Sequence, residues 1–137
     1  MISNKVFVDT SWYKAFLDQN DDFFSLAIDQ YKKIKSEEIV FVTTNFIIDE
    51  ALTLIRIRCG LQLALKFRDM LSEMDSILQV IRVLPEDEEK AWEWFPKDWS
   101  KLSFTDCTSF AVMKRLGLSD VATFDNHFTQ AGFKVFK

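Results

Sequence analysis

The chain has 137 residues, 48% of them apolar and 28% charged, which is the size and mixture of one soluble domain able to bury a core without disulfides or a structural metal. Its net charge of −4, from 17 basic and 21 acidic residues, argues against a nucleic-acid binder of the usual basic kind. Three glycines, two prolines and two cysteines exclude a linker-rich chain or a disulfide framework, and no apolar run reaches the ~18 residues of a membrane span.

The opening MISNKVFVDT lacks the long apolar stretch of a signal peptide, so the cytoplasm is the expected location and no membrane partner is expected. Residues 5–9, KVFVD, read as a short buried strand ending in an acid. Thr10 or Ser11 is the expected cap of a helix carrying Trp12, Tyr13, Phe16 and Leu17. A second helix is expected over about 21–35, with Phe24, Ala27, Ile28 and Tyr31 on one face and Lys32, Lys33 and Lys35 near its end. IVFV at 39–42 is the second strand. Thr43 or Thr44 then caps a helix running to about Arg58, with Gly60 at its stop.

The next helix, about 61–74, aligns Leu63, Phe67, Met70, Leu71 and Met74. ILQVIRV at 77–83 is the third strand. Pro85 followed by Glu86, Asp87, Glu88 and Glu89 marks a helix start, and Pro96 bends or ends that helix. Ser103 to Asp106 fits a capping box for a helix stopping at Gly117. VATF at 121–124 is the fourth strand, and FKVF at 133–136 is an edge strand. Short apolar strands alternating with amphipathic helices predict a single α/β domain over 1–137, a three-layer α/β/α sandwich on a mostly parallel sheet.

Four acids occupy unusual positions. Asp9 and Asp125 directly follow buried strands, where open parallel sheets collect their ligands, although either residue can also serve as a helix cap. Glu50 shares its helical row with Phe46, Ile47, Leu54 and Ile57, so it is expected to face the core, while Asp49 faces solvent. Asp106 shares a row with Ser109, Phe110 and Met113, with the capping box as its competing role. Buried carboxylates require protonation, a base or a metal. Grouped carboxylates raise one another's pKa values, and a divalent cation removes that repulsion. An all-oxygen set selects Mg²⁺ or Mn²⁺ over zinc. With these four acids set aside, 17 basic residues face 17 acidic ones and the scaffold is neutral.

At these residues the sequence resembles the PIN-domain family, and within it the VapC-like toxin ribonucleases of bacterial toxin–antitoxin pairs. The matching stretches are VFVDTS (6–11), TTNFIIDEALTL (43–54), LSFTDCTSFAVMKRLGL (102–118) and ATFDNHFTQAGF (122–133). The resemblance implies a PIN-like α/β/α sandwich, metal ligation and catalysis by Asp9, Glu50, Asp106 and Asp125, and metal-dependent cleavage of RNA. It also implies a homodimer and an antitoxin partner. Asp9 and Asp106 are the first choice for direct ligands; Glu50 and Asp125 ligate directly, ligate through water or orient the nucleophile. Thr10, Ser11 and Thr123 match positions where the family often has a hydroxyl and are expected to support the acids. The products would be a 5′-phosphate and a 3′-hydroxyl.

The remaining candidates are weaker. Lys114 and Arg115, two turns beyond Asp106, are the expected RNA contacts among several scattered cations, whose alternative is a solvated surface. His127, the single histidine, reads as an exposed turn residue or else a substrate contact. Its being alone argues against a metal-free histidine-pair nuclease. Trp92, Trp94 and Trp99 are expected in packing or an interface rather than on RNA bases. Cys107 is expected to be a buried thiol. Other activities also fit the acids: a PIN-fold nuclease in RNA processing or acting on DNA, a non-catalytic binding module, or an aspartyl phosphotransferase. The last lacks the usual second aspartate, because Ser11 stands at that place.

Overall fold

The computed structural model describes residues 4–137. The first three residues of the domain expected over 1–137, which also begin the opening stretch without a signal-type run, lie outside the described residues. The elements in chain order are β1 Lys5–Val8, α1 Thr10–Leu17, α2 Phe24–Ser36, β2 Val40–Thr44, α3 Asn45–Cys59 and α4 Leu61–Glu73. They continue with β3 Leu78–Ile81, α5 Pro85–Ala91, α6 Phe104–Leu116, β4 Asp120–Ala122, α7 His127–Gln130 and β5 Lys134–Val135.

The five strands form one sheet in the order β3-β2-β1-β4-β5. Every pairing is parallel. Phe7 lies opposite both Val42 on β2 and Val121 on β4, so β1 is the central strand. Val6, Phe7 and Val8 are all buried, so both faces of β1 are covered. Phe41 packs under Trp12 and Tyr31, from α1 and α2. Phe7 packs on Phe128 of α7, which in turn meets Phe110 of α6. These contacts put α1 and α2 on one face and α6 and α7 on the other, as right-handed crossovers require when the chain runs from β1 to β3 in one direction and then back across the sheet to β4 and β5. The result is an α/β/α sandwich whose abundant aromatics fill the two helix–sheet layers.

The strand order reverses between β1 and β4. Loops leaving the carboxyl ends of these two neighbours diverge and open a crevice between them. Asp9 follows β1 at that point, and Thr123 to Asp125 follow β4.

Several boundaries differ from the sequence expectation, each for a local reason. The cap of α1 is Asp9, whose Oδ1 accepts from the Trp12 N–H at 3.3 Å, so Thr10 and Ser11 lie inside the helix and their hydroxyls are free for other partners. The second helix starts at Phe24, because Asp21 turns the chain by accepting from the Phe23 N–H and is held by Lys14. Strand β3 shortens to four residues on the sheet edge, with Val80 exposed. Helix α5 ends at Ala91, ahead of Pro96. Thr44 caps α3, Ser103 and Asp106 form the capping box of α6, and Gly117 closes α6 at a left-handed φ of 70°.

Candidate active site

Asp9, Glu50, Asp106 and Asp125 line one pocket of about 220 Å³, together with Thr10, Ser11, Leu54, Lys101 and Ser103. A larger groove of about 660 Å³ lies along β5. That groove lacks a convergent set of chemical groups, so chemistry rather than size marks the acid pocket as the site.

Asp9 is the anchor. It is only 4% exposed. Ser11 Oγ donates to its Oδ1 at 2.8 Å and Thr123 Oγ1 donates to its Oδ2 at 2.9 Å. Each hydroxyl oxygen in turn accepts a backbone N–H at 3.0 Å, Ser11 from Phe124 and Thr123 from Asp125. The β4 loop is therefore tied to Asp9, and the Asp9 carboxylate plane is fixed from both sides. Burial pushes the Asp9 carboxyl up to about 7; the Ser11 and Thr123 bonds pull down, and the charges of Asp106 and Asp125 add to the rise.

Glu50 is half-buried rather than in the core. The buried row of α3 is Ile47, Ala51 and Ile55, whereas Ile57, expected beside Glu50 on the core side, is 75% exposed. The core stripe is rotated by one position, which places Glu50 on its border, facing the pocket. Thr10 Oγ1 donates to Glu50 Oε1 at 2.7 Å. No lysine or arginine pairs with Glu50 among the described residues.

Asp106 is both cap and site residue. Its Oδ2 accepts the Ser103 N–H at 3.1 Å, closing the capping box, and its carboxyl also lines the pocket. Burial raises it to about 6; the Ser103 N–H opposes this, Asp125 and Glu50 reinforce it, and His127 opposes it. The Cys107 thiol beside it is buried and pushed up to about 12, first by burial and then by Asp106, which makes it a poor nucleophile.

His127 is not an exposed turn residue; it is 4% exposed. Its Nδ1 lies 2.9 Å from Asp125 Oδ1 and 3.2 Å from Asp106 Oδ2, and its Nε2 lies 2.6 Å from the Ser100 carbonyl. A carbonyl only accepts, so Nε2 carries a proton. A neutral ring would then direct the Nδ1 lone pair at two carboxylates, which favours the imidazolium. Burial works against that cation, but the Ser100 carbonyl and the two carboxylates outweigh it and hold the imidazole above its ordinary value. The His127 N–H also donates to Asp125 Oδ1 at 2.9 Å.

Arg115 and Lys114 do not line the pocket. Arg115 forms a two-point pair with the buried Asp87, Nε to Oδ1 at 2.9 Å and Nη2 to Oδ2 at 2.8 Å, fastening α6 to α5. The guanidinium expected to meet RNA is thus committed within the fold. Arg115→Ala strands a buried carboxylate and is expected to destabilise the protein by about 2 kcal/mol, less than a fully buried pair because the arginine is partly exposed. Urea denaturation measures this, with cleavage by the folded fraction unchanged. Lys114 is exposed but lies about 12 Å along the helix axis from Asp106.

Trp94 packs on Phe110, while Trp92 is exposed beside Phe95 and Phe104. Lys101, at the pocket, has no counterpart among the expected residues. Its only signal in the sequence is its place two residues before the cap that presents Asp106.

The donor set fits a divalent cation. Ligand atoms of Asp106, Asp125 and His127 lie within 4.8 Å of one another, and since the His127 imidazolium has no free lone pair, the carboxylate oxygens of Asp106 and Asp125 are the donors there. Asp9 and Glu50 add carboxylate oxygens from the same pocket. The buried acidic cluster can therefore hold a metal ion.

A model of the PIN domain matches residues 6–134. The chain is 35% identical over 130 residues to the 23S rRNA-specific endonuclease VapC20 of Mycobacterium tuberculosis, covering 93% of this chain and 95% of the relative. The crystal structure of that protein, described as a sarcin–ricin loop cleaving toxin, superposes with a TM-score of 0.79 at 33% identity, covering 93% of this chain and 95% of that one. FitAcB from Neisseria gonorrhoeae superposes with a TM-score of 0.67 at 13% identity over 96% of both chains, a likeness of fold. No helix among the described residues is long and apolar enough to cross a membrane.

Proposed function

This chain belongs to the PIN-domain family, and on that premise we propose that it is a Mg²⁺- or Mn²⁺-dependent endoribonuclease, the toxin of a toxin–antitoxin pair. The observation that carries the proposal is the convergence of Asp9, Glu50, Asp106 and Asp125, from four separate segments, on one pocket. The relative named as a 23S rRNA-specific endonuclease supports ribosomal RNA as the substrate, with the sarcin–ricin loop the first candidate. The same kinship supports a cytoplasmic homodimer held inactive by a cognate antitoxin.

A bound divalent cation supplies positive charge to the phosphate and lowers the pKa of water. The chain's own residues arrange for that chemistry. Ser11 and Thr123 fix Asp9 in one orientation, Thr10 directs Glu50, and the Ser103 N–H directs Asp106. His127 holds Asp106 and Asp125 on either side of its Nδ1. Glu50 and Asp125 are the more open acids, and they are placed to orient the attacking water and take its proton. Ser11, which stands where an aspartyl phosphotransferase usually carries its second aspartate, instead donates to Asp9 Oδ1.

Purified protein is expected to cut 23S rRNA with Mg²⁺, leaving ends that carry a 5′-phosphate, and to stop when EDTA is added. Sequencing of 5′ ends locates the cut. Mg²⁺ at one hundred times its Kd should add about 2.7 kcal/mol of stability. Intact RNA at saturating Mg²⁺, with the protein folded, overturns the proposal.

A further inference from the structure

Lys101 has three properties that its place in the chain does not account for. First, it is the one cationic residue among those lining the acid pocket. Second, its φ is 62°, one of only two positive values at non-glycine positions among the described residues. Third, it makes no ion pair or hydrogen bond among the described residues, although four carboxylates line the same pocket.

The backbone makes this choice of residue unusual. The Leu102 N–H donates to the Trp99 carbonyl at 3.3 Å, so Trp99 to Leu102 form a β-turn with Lys101 at its third position. A positive φ there calls for glycine or asparagine. Lysine has a Cβ that the left-handed region disfavours and no short polar group to bond the turn. The turn is also anchored to the site, because the Ser100 carbonyl accepts from His127 Nε2 and Ser103 begins the capping box of Asp106. A strained residue held rigidly beside a site points to work done by its side chain.

We propose that Lys101 binds phosphate: its ammonium takes a non-bridging oxygen of the RNA phosphodiester brought to the acid pocket. This deepens the nuclease reading and rests on it. Four acids repel an RNA backbone, and a cation at their rim offsets that repulsion where the phosphate must enter. Arg115, committed to Asp87, cannot take this role, and Lys114 lies too far along α6.

The test compares wild type with Lys101→Asn, Lys101→Gly and Lys101→Arg. Each protein is given total bacterial ribosomal RNA and Mg²⁺, and cleavage is followed across a series of salt concentrations alongside melting temperature. Asparagine and glycine suit the turn, so both variants are expected to melt at or above the wild-type temperature while kcat/KM falls about tenfold at low salt. The slope of log kcat/KM against log salt should shrink by roughly 0.7 to 0.9, the loss of one phosphate contact. Lys101→Arg should keep most of the activity. Unchanged cleavage and slope in the asparagine and glycine variants overturn the inference alone. So does a changed Mg²⁺ requirement with an unchanged slope, which would assign Lys101 to the carboxylates instead of RNA. A wild type that leaves RNA intact overturns the nuclease reading and this inference with it.

Discussion

Asp9→Asn is expected to lose at least about 1,000-fold in cleavage rate while the protein stays folded, since removing several kcal/mol of charge stabilisation has that effect on a barrier. Asparagine is as good a helix cap as aspartate. Its Oδ1 can still accept from the Trp12 N–H and Ser11 Oγ, as the Asp9 oxygen does. Its amide would face Thr123 Oγ1, which has two lone pairs and can accept from both that amide and the Asp125 N–H. The local network therefore survives with one hydroxyl reoriented. What disappears is the negative charge around which Ser11 and Thr123 are arranged. Without metal the variant should melt no lower than wild type, and higher at pH 8, where the native carboxylate is ionised inside the fold. The gain in melting temperature on adding Mg²⁺ should vanish or shrink sharply. RNA cleavage and thermal melts with and without Mg²⁺ measure all three effects. A variant that cuts at the wild-type rate removes Asp9 from the site.

The second large effect concerns pH. In the presence of EDTA, stability is expected to fall as pH rises from about 4 to about 7. Asp9 is raised from 3.8 to about 7 and Asp106 from 3.8 to about 6. Over that interval the native protein keeps protons that the unfolded chain has released, so each pH step upward favours unfolding. His127 acts in the same direction: its raised imidazole favours the folded state below its ordinary value of 6.5, and that contribution is lost as pH passes its folded value. Asp18 is lowered mainly by the Lys14 bond. Asp87 is lowered because Arg115 and the Leu84 N–H together outweigh its burial. The stability these two contribute is present above 3.8 and lost only in stronger acid. From Asp9 alone the loss by pH 8 is on the order of 4 kcal/mol, a large share of the stability of a typical domain. Urea midpoints at pH 5 and pH 8 should show it, Mg²⁺ should restore part of it at pH 8, and Asp9→Asn should make the profile shallower. Equal midpoints at the two pH values in the wild type contradict the buried-acid description.

Much of this architecture was legible in the sequence wherever the cause was local. Short apolar runs marked β1 and β2, a hydroxyl cap marked the start of α3, and the Ser103–Asp106 spacing marked α6 because both halves of that capping box lie within one helical turn. Asp9 and Asp125 stood out because each directly follows a buried strand, and Asp106 because it shares a helical row with apolar residues, although a helix cap was an alternative for each. Features set by distant partners were not legible. The burial of His127 depends on a carbonyl 27 residues away, and the capture of Arg115 depends on an acid 28 residues away. Glu50 was identified as a site residue on a rotated helical face, since the core stripe of α3 is fixed chiefly by the helices packed against it, α4 and α1, and not by its own periodicity. Lys101 left almost no trace, because a strained turn cannot be recognised until its φ is known.

Asp9 takes its hydroxyl partner from Thr123, 114 positions later, and its strand completes one flank only when β4 docks. A polypeptide emerging from the ribosome carries Asp9 and Glu50 long before it carries Asp106, Asp125 and the hydroxyl that orients the first of them. On the proposed nuclease reading, an unfinished chain therefore lacks half of the acid cluster and is expected to leave RNA intact. The acid pocket itself is complete only when the last third of the molecule has been made and has closed against the beginning.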